Sequence, residues 1–549
     1  MSSAANPKWV PRNIVRASAW LARLLARHEV LAGVVAGLLP MMVRLALLPL
    51  APVPIPSIHD EFSYLLAADT FVHGRLTNPA HPFWRHFESI HILQQPTYMS
   101  MYPPAQGLFL ALGKVLFGHP WFGLCLIFVL LGMAVYWALR AWVPSAWALP
   151  GALLFGADFG IADYWINSYW GGATATLGGF LVVGSAGRLL NRPDGARLRN
   201  ALLLGLGVLI LANTRPWEGL IFCAGAGGLA CARLFARHRR QSVVLLRRWL
   251  AVVLLVLTLG GAIMGYYCWR ITGNALQFPY LLYRRTYGIA ALFFWQKPLP
   301  APHYNHEVMR RFYVDWEPGL QVDSRPFLPK MFVTRLQYIG RAAINSSKNR
   351  LARIPVLPLL LLVLWSGWRS RNTRWLVYLC GFFYAGLCCQ NYCLFHYVAP
   401  LVGAGTVLKI TAARRWSLTC SRIGAPVGIG ALYLLVLTLL VWNSHRLVDS
   451  VPKPDTFGMR RESLRRSLQK IPGRHLVIVH YSPEHSEQSE WVYNEADIDR
   501  AKVVWARDMG PERNQALRWY FGDRQAWWLD PERHAGRVVP LGNSVLAPE

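Results

Sequence analysis

Apolar runs approaching the thickness of a bilayer recur from residue 30 to residue 442, and they confine this chain to the helical, polytopic membrane class. Inside lipid every backbone N–H and C=O must be satisfied within its own segment, which helices achieve and open strands do not. Composition agrees: of 549 residues, 54% are hydrophobic and only 15% charged, against about 25% in an ordinary soluble protein. The net charge of +29 would suit a nucleic-acid binder. Here the basic residues cluster in short loops between apolar runs, as the positive-inside rule describes, so no nucleic-acid partner is expected. The first 28 residues are polar and basic (Lys8, Arg12, Arg16, Arg23, Arg27) and lead into a run with no small-residue cleavage site. That pattern reads as an anchor, not a cleaved signal peptide.

Loop charges set the expected topology. Arg188, Arg192, Arg197 and Arg199 mark one inner loop, and Arg233 to Arg248 a second. Arg369, Arg371 and Arg374 mark a third, and Lys409, Arg414, Arg415 and Arg422 a fourth. With these and the N-terminus inside, spans fall near 30–50, 120–139, 145–158, 170–187, 200–213, 217–234, 246–269, 354–368, 375–390, 397–412 and 424–442. That is about eleven crossings of the inner (plasma) membrane, with the C-terminus on the extracytoplasmic, periplasmic side. The piece 105–118 is short, Pro-led and Gly-bounded, so it reads as juxtamembrane or re-entrant. The chain then divides into a basic N-terminus (1–29), a transmembrane module (30–270) with a first outer loop (51–104), a large outer loop (271–353), C-terminal helices (354–443) and an outer domain (444–549). All nine cysteines lie in or beside apolar segments and read as packing residues, with no disulfide framework.

The outer domain changes character. HLVIVHY at 475–481, AKVVWAR at 501–507 and QAWWLD at 525–530 read as strands, and PERNQALRWYF at 511–521 as a helix. Strand–helix–strand–helix–strand predicts a small α/β domain with a parallel sheet. His475, His480 and His485 read as strand-end or loop histidines, not metal ligands.

The polar, aromatic-rich loops all fall on the outer side: 51–104, 158–169, 213–217, 270–353 and 391–397. In the first of them Asp60 and Glu61 stand side by side in HDEFSYLLAADTFVHGRLTNP. Carboxylates near hydrocarbon are unfavourable and are kept there for chemistry, ion binding or pairing. Phe62, Leu65, Leu66, Asp69 and Phe71 follow at helical spacing, as on a helix lying along the interface. The alternative role for the acid pair is to cap that helix.

An outer loop opening on an Asp-Glu pair, an interfacial helix, and then YPPAQGLFLALGKVLFG at 102–118 resembles the GT-C superfamily of integral-membrane glycosyltransferases. The likeness is to the protein O-mannosyltransferases and the aminoarabinose–lipid A transferases, and it is best over 30–270. It implies a sugar donor on a polyprenyl phosphate and an acceptor (glycolipid, polysaccharide or protein) glycosylated on the outer face. Asp60 matches the motif acid, and Pro103 and Pro104 its proline pair. Tyr102 departs from the Lys or His usual before the prolines, and the C-terminal domain has no match in those relatives. In some relatives acids of the second outer loop join the first-loop acid at a divalent metal. Asp158 and Asp163 would play that part here with Mg or Mn, or else serve as loop and cap acids.

The chemistry itself asks for a similar set. A carboxylate must take the acceptor's proton, for which Asp60 is the expected base. Glu61 would orient the acceptor, bind a metal or hold a cation. Multi-donor groups must grip the phosphate, and Arg215, Arg284, Arg285 and His396 are placed to do so or to snorkel to lipid headgroups. Glu218 would steer Arg215. His59, Tyr102, Asp158, Asp163, Tyr164 and Trp165 are the expected substrate-binding residues. Tyr164, Trp165, Tyr169 and Trp170 suit either an interfacial belt or sugar stacking. Arg44, inside the first span, would snorkel outward or pair with an acid. Two rival readings stay open: a transporter or lipid flippase using the same acids for ions or protons, and a catalytically dead scaffold.

Overall fold

The computed structural model describes residues 28–191, 197–236, 239–322, 329–344, 356–391, 393–423, 456–533 and 537–541. The basic N-terminal segment and the predicted span 424–442 lie outside them. Helices α1 (Glu29–Ala46), α2 (His59–Val72), α3 (Pro104–Phe117), α4 (Trp121–Leu139), α5 (Ser145–Gly160), α6 (Gly172–Asn191), α7 (Leu198–Ala212), α8 (Pro216–Phe235) and α9 (Arg239–Thr272) make up the N-terminal half. Then come α10 (Pro279–Tyr287), α11 (Pro329–Ile344), α12 (Val356–Trp368), α13 (Arg374–Cys388), α14 (Val402–Ile423), α15 (Phe457–Lys470) and α16 (Pro511–Tyr520). Among the described residues five helices are long and apolar enough to cross a membrane: α1, α4, α6, α8 and the Leu246–Thr272 part of α9. The predicted spans at 145–158, 200–213, 354–368 and 375–390 also form helices, shorter than a full crossing.

Small residues let these helices approach closely. A Cβ on Gly178 of α6 would stand 2.9 Å from the carbonyl of Gly207 in α7, and the reverse distance is also 2.9 Å. Where no hydrophobic force drives helices together, such contacts supply the packing. The core of the bundle joins α1, α4, α5 and α6. Leu250, Leu254, Leu255, Leu259 and Ile263 of α9 are exposed, the surface a lipid-facing helix presents.

Two expectations need correction. First, Arg44 neither snorkels nor meets an acid. It is fully buried and donates to Asn167 Oδ1 (2.8 and 3.2 Å) and to the carbonyls of Ala51 and Pro52 (2.9 and 3.3 Å). It thus ties the end of α1 to the second outer loop. Second, α2 is no half-wet interfacial helix. Phe62, Leu66, Ala67, Ala68 and Thr70 are all buried, because α2 has neighbours on every side. The bundle packs on Tyr64 and Ala68, the C-terminal region on Phe62 and Leu66, and the outer loops on Ala67.

The first outer loop continues into a small antiparallel sheet, in order β1 (Asn78–Pro79), β3 (Thr97–Ser100), β2 (Ile92–Leu93). It ends in the proline pair, with Pro103 at the N-cap of α3 and Pro104 in its first turn. Both positions suit proline, which lacks the N–H that a helix start leaves unpaired. Gly107 follows because α3 presses on α2: a Cβ there would sit 2.8 Å from that of Ala67.

In the C-terminal region β4 (Arg474–Val479), β5 (Val503–Arg507), β6 (Arg524–Leu529) and β7 (Val539–Pro540) form one sheet in the order β5-β4-β6-β7. Strands β5, β4 and β6 are parallel, as their sequences predict, and β7 is antiparallel. No helix separates β4 from β5; the first helix of the unit, α15, precedes β4 instead. The sheet docks on α2 and the first outer loop. Phe62 and Tyr493 stack at 4.2 Å, Arg461 lies 4.8 Å over Phe62, and Asp69 accepts the Ala496 N–H at 2.8 Å. Arg507 pairs with buried Glu490 and donates to the Glu88 carbonyl at 2.6 Å.

Candidate active site

The start of α2 turns two adjacent acids to different tasks, since neighbours on a helix point apart. Glu61 is 3% exposed. Its carboxylate accepts the backbone N–H of Ser57 (2.8 Å), Ile58 (3.2 Å) and Tyr169 (2.9 Å). It caps α2 and fixes the second outer loop to it, so its role here is to hold the site together. Burial pushes its carboxyl up to about 7 although the three N–H donors favour the charged form.

Asp60 faces the other way and keeps a side chain 26% exposed. The Tyr102 hydroxyl donates to it and also lies 3.1 Å from His91 Nδ1, which is itself 3.8 Å from Asp60 Oδ1. His91 comes from the bend before β2 and has φ +66°, the left-handed region that a residue other than glycine rarely adopts. The bend is held from both ends. Its N–H donates to Tyr283 Oη (2.6 Å), and its carbonyl accepts from Ser63 Oγ (2.7 Å) and the Met101 N–H (3.2 Å). Tyr283 is braced in turn by Tyr313 at 2.5 Å. Backbone held in such a region costs on the order of 1–3 kcal/mol and persists where surrounding contacts over-determine it, often at functional sites. His59, the first residue of α2, is 3% exposed. It meets His91 and Phe312 edge-on at 5.3 and 4.9 Å. Phe312 belongs to a π-helical turn, Arg311–Trp316, an irregularity frequent at functional sites.

Burial alone would raise the Asp60 carboxyl. His91, His59, the Tyr102 hydroxyl and Arg215 outweigh it and hold Asp60 below the ordinary aspartate value. Burial lowers His91, and lowers His59 to about 4. The site therefore carries one anionic carboxylate and two neutral imidazoles at neutral pH. Because Asp60 is depressed, its charged form is lost only as pH falls through that lowered value. Neither Asp60 nor His59 should then cost any rate between about pH 8 and about pH 5, where an unshifted histidine would already be protonated. In that window the group that titrates is Glu61, near 7, and Glu61→Gln removes its contribution. A pH–rate profile whose acidic limb near 6.5 survives Glu61→Gln would contradict this arrangement.

Arg215, at the N-cap of α8, is half-buried with its guanidinium 4.8 Å over the ring of Tyr397. Among the described residues no carboxylate pairs with it. It is close enough to Asp60 to depress that carboxyl. Glu218 accepts from Gln390 Nε2 at 3.1 Å. His396 is buried with its ring 4.8 Å from that of Trp170; burial and then the Arg215 charge push it down.

The remaining expected residues are engaged elsewhere. Arg284 is buried, pairs with Glu317 and donates to the Ala290 carbonyl at 2.6 Å, and Arg285 is exposed on the far side of α10. Asp158 belongs to α5, not to a loop, and Lys409 Nζ lies 2.8 Å from it. That pair also takes Lys409 out of the inner loop to which its charge assigned it. Asp163 accepts the Trp165 N–H at 2.9 Å. Trp165 is 3% exposed and stacks on Phe159 at 5.3 Å, which makes it a packing residue. Tyr169 is buried and donates to the Pro54 carbonyl at 3.0 Å, while Tyr164 sits edge-on to Trp170 at 5.6 Å. Neither Asp158 nor Asp163 joins Asp60 in a ligand group, so the oxygen-rich set that suits Mg or Mn is not assembled there. Among the described residues the group able to hold an ion is His59, Asp60 and His91. His91 carries no sequence signal beyond being a histidine in the first outer loop.

No protein-family model and no curated protein matches the chain. Several solved structures do. An oligosaccharyltransferase of Archaeoglobus fulgidus, solved with zinc and sulfate, is 12% identical, with a TM-score of 0.46 over 81% of this chain and 60% of its own. The archaeal oligosaccharyltransferase AglB, from the same organism and in complex with an inhibitory peptide and a dolichol-phosphate, is 10% identical, with a TM-score of 0.48 over 92% of this chain and 70% of its own. ArnT of Cupriavidus metallidurans, bound to undecaprenyl phosphate, is 12% identical, with a TM-score of 0.47 over 97% of this chain and 99% of its own. The chain spans 60% of the length of the first of these. At such scores these likenesses carry no argument about its chemistry.

Proposed function

We propose that the chain is a membrane glycosyltransferase that moves a sugar from a polyprenyl-phosphate donor to an acceptor hydroxyl or amine on the outer face. The observation that carries this reading is the placement of a partly exposed, ionised Asp60 beside Tyr102 within the field of Arg215, at the face where the outer loops converge. Lone pairs of the acceptor attack the anomeric carbon as the bond from that carbon to the phosphate oxygen breaks. The oxygen leaves with the bonding pair as polyprenyl phosphate, and the acceptor proton passes to Asp60. Arg215 holds the phosphate whose charge grows as it departs. Tyr102 and His91 keep Asp60 oriented.

The Asp158–Lys409 pair, set between two helices of the bundle, is the kind of feature a transporter would need. Both charges are already satisfied there by one another, and the partly exposed acid with a cation in reach is the other one, Asp60. The test is donor binding. Arg215→Lys keeps the charge but loses the planar fork, so affinity for a polyprenyl phosphate, read by native mass spectrometry in detergent, should fall roughly tenfold to a hundredfold. Arg188→Ala, a change in α6 beside Trp137, should leave it within about twofold. Equal effects at the two positions would reduce Arg215 to an interfacial anchor.

A further inference from the structure

We propose that His59, Asp60 and His91 form a binding site for one transition-metal ion of zinc type. Each offers a ligand atom within 4.8 Å of the other two. The three side chains come from two separate segments, the start of α2 and the strained bend before β2, and both segments are fixed by hydrogen bonds that hold the side chains in place. The second observation is the state of His59. Its Nδ1 is buried and has no hydrogen-bond partner, in a residue only 3% exposed. An imidazole nitrogen left bare in the interior is unfavourable unless something takes its lone pair.

The other ring nitrogen of His59 explains how that lone pair is presented. Nε2 lies 3.3 Å from the Glu487 carbonyl, an acceptor only, so Nε2 carries the proton and Nδ1 is the basic nitrogen. A ligating histidine whose second N–H is donated to a backbone carbonyl is the usual supporting arrangement of a metal site. Here the carbonyl comes from the C-terminal region, so docking of that region would set the tautomer of a ligand in the first outer loop. Phe312 walls the two imidazoles on one side. Two neutral imidazoles and one carboxylate are a nitrogen-rich set, which suits zinc, cobalt or iron and disfavours magnesium and calcium. A carboxylate bound through one oxygen leaves its second oxygen for the acceptor, and an ion there would supply Lewis-acid stabilisation to a phosphate at the open coordination positions.

The proposal stands on the geometry of these three residues and not on the transferase reading, and the test separates the two. Full-length protein in detergent, stripped with chelator, would be titrated with Co(II) and its visible spectrum recorded; zinc retained after dialysis would be counted by elemental analysis. The expected result is a four- or five-coordinate Co(II) absorption that saturates at one ion per chain and is displaced by Zn(II). His91→Ala and His59→Gln should each weaken Co(II) binding by roughly 100-fold or more, beyond what loss of a supporting residue costs. His480→Ala, on the C-terminal sheet, should not change it. Wild-type protein without the Co(II) bands, or variants that keep them undiminished, would overturn the site. The wild-type titration alone decides the matter if a variant fails to fold. Absent Co(II) bands in a protein whose sugar transfer still needs Asp60 would leave the transferase reading standing and remove this one.

Discussion

Asp60→Asn should lower transfer from a lipid-linked sugar by roughly 10²–10⁴-fold while leaving insertion and folding intact. The amide keeps the size of the side chain and can still accept from the Tyr102 hydroxyl, so the local packing has no reason to change. What it loses is the ability to take a proton, and the site offers no substitute. His59 and His91 are weakened as bases by burial, which lowers His91 and takes His59 to about 4. Glu61 is consumed by three backbone N–H groups. The measurement is initial rate against an unchanged thermal midpoint. Near-wild-type turnover would remove Asp60 from the chemistry.

Glu61→Ala, one residue on, should act by a different route. It strands the N–H groups of Ser57, Ile58 and Tyr169, two of them at the start of α2 and one in the second outer loop. Each donor left unsatisfied costs about 1–3 kcal/mol where water cannot reach it. The variant should therefore show a clearly lower unfolding midpoint and a poorly assembled outer face, with activity lost through disorder. Thermal unfolding followed alongside activity separates the two acids: Asp60→Asn should move the rate and not the midpoint, and Glu61→Ala should move both. A Glu61→Ala protein of undiminished stability but no activity would return Glu61 to the catalytic group.

The contrast shows what the sequence could and could not convey. The polytopic class, the acid pair, the proline-led α3 and the three parallel strands of the C-terminal region follow from local patterns: apolar length, turn chemistry and period. The division of labour between Asp60 and Glu61 does not, because it depends on which way the first turn of α2 faces and on a backbone N–H from Tyr169, more than a hundred residues away. His91 is invisible for the same reason: only the pairing of β2 with β3 brings it over Asp60. The amphipathic look of α2 misleads because a half-buried helix and one covered by partners distant in sequence share the same local pattern. Arg284 and Asp158 carried the right chemistry for a site, but their charges are spent on buried ion pairs with Glu317 and Lys409 that composition and spacing do not reveal.

Purified protein reconstituted in liposomes with a polyprenyl-phosphate monosaccharide and an outer-face acceptor tests the central claim most directly, with free polyprenyl phosphate counted by mass spectrometry. The account predicts acceptor-dependent release of the lipid phosphate, one for each sugar transferred, abolished by Asp60→Asn and weakened by Arg215→Lys. Lipid phosphate that stays glycosylated across a panel of such donors, together with an Asp60-dependent ion or proton flux through the same liposomes, would contradict it and make the protein a transporter.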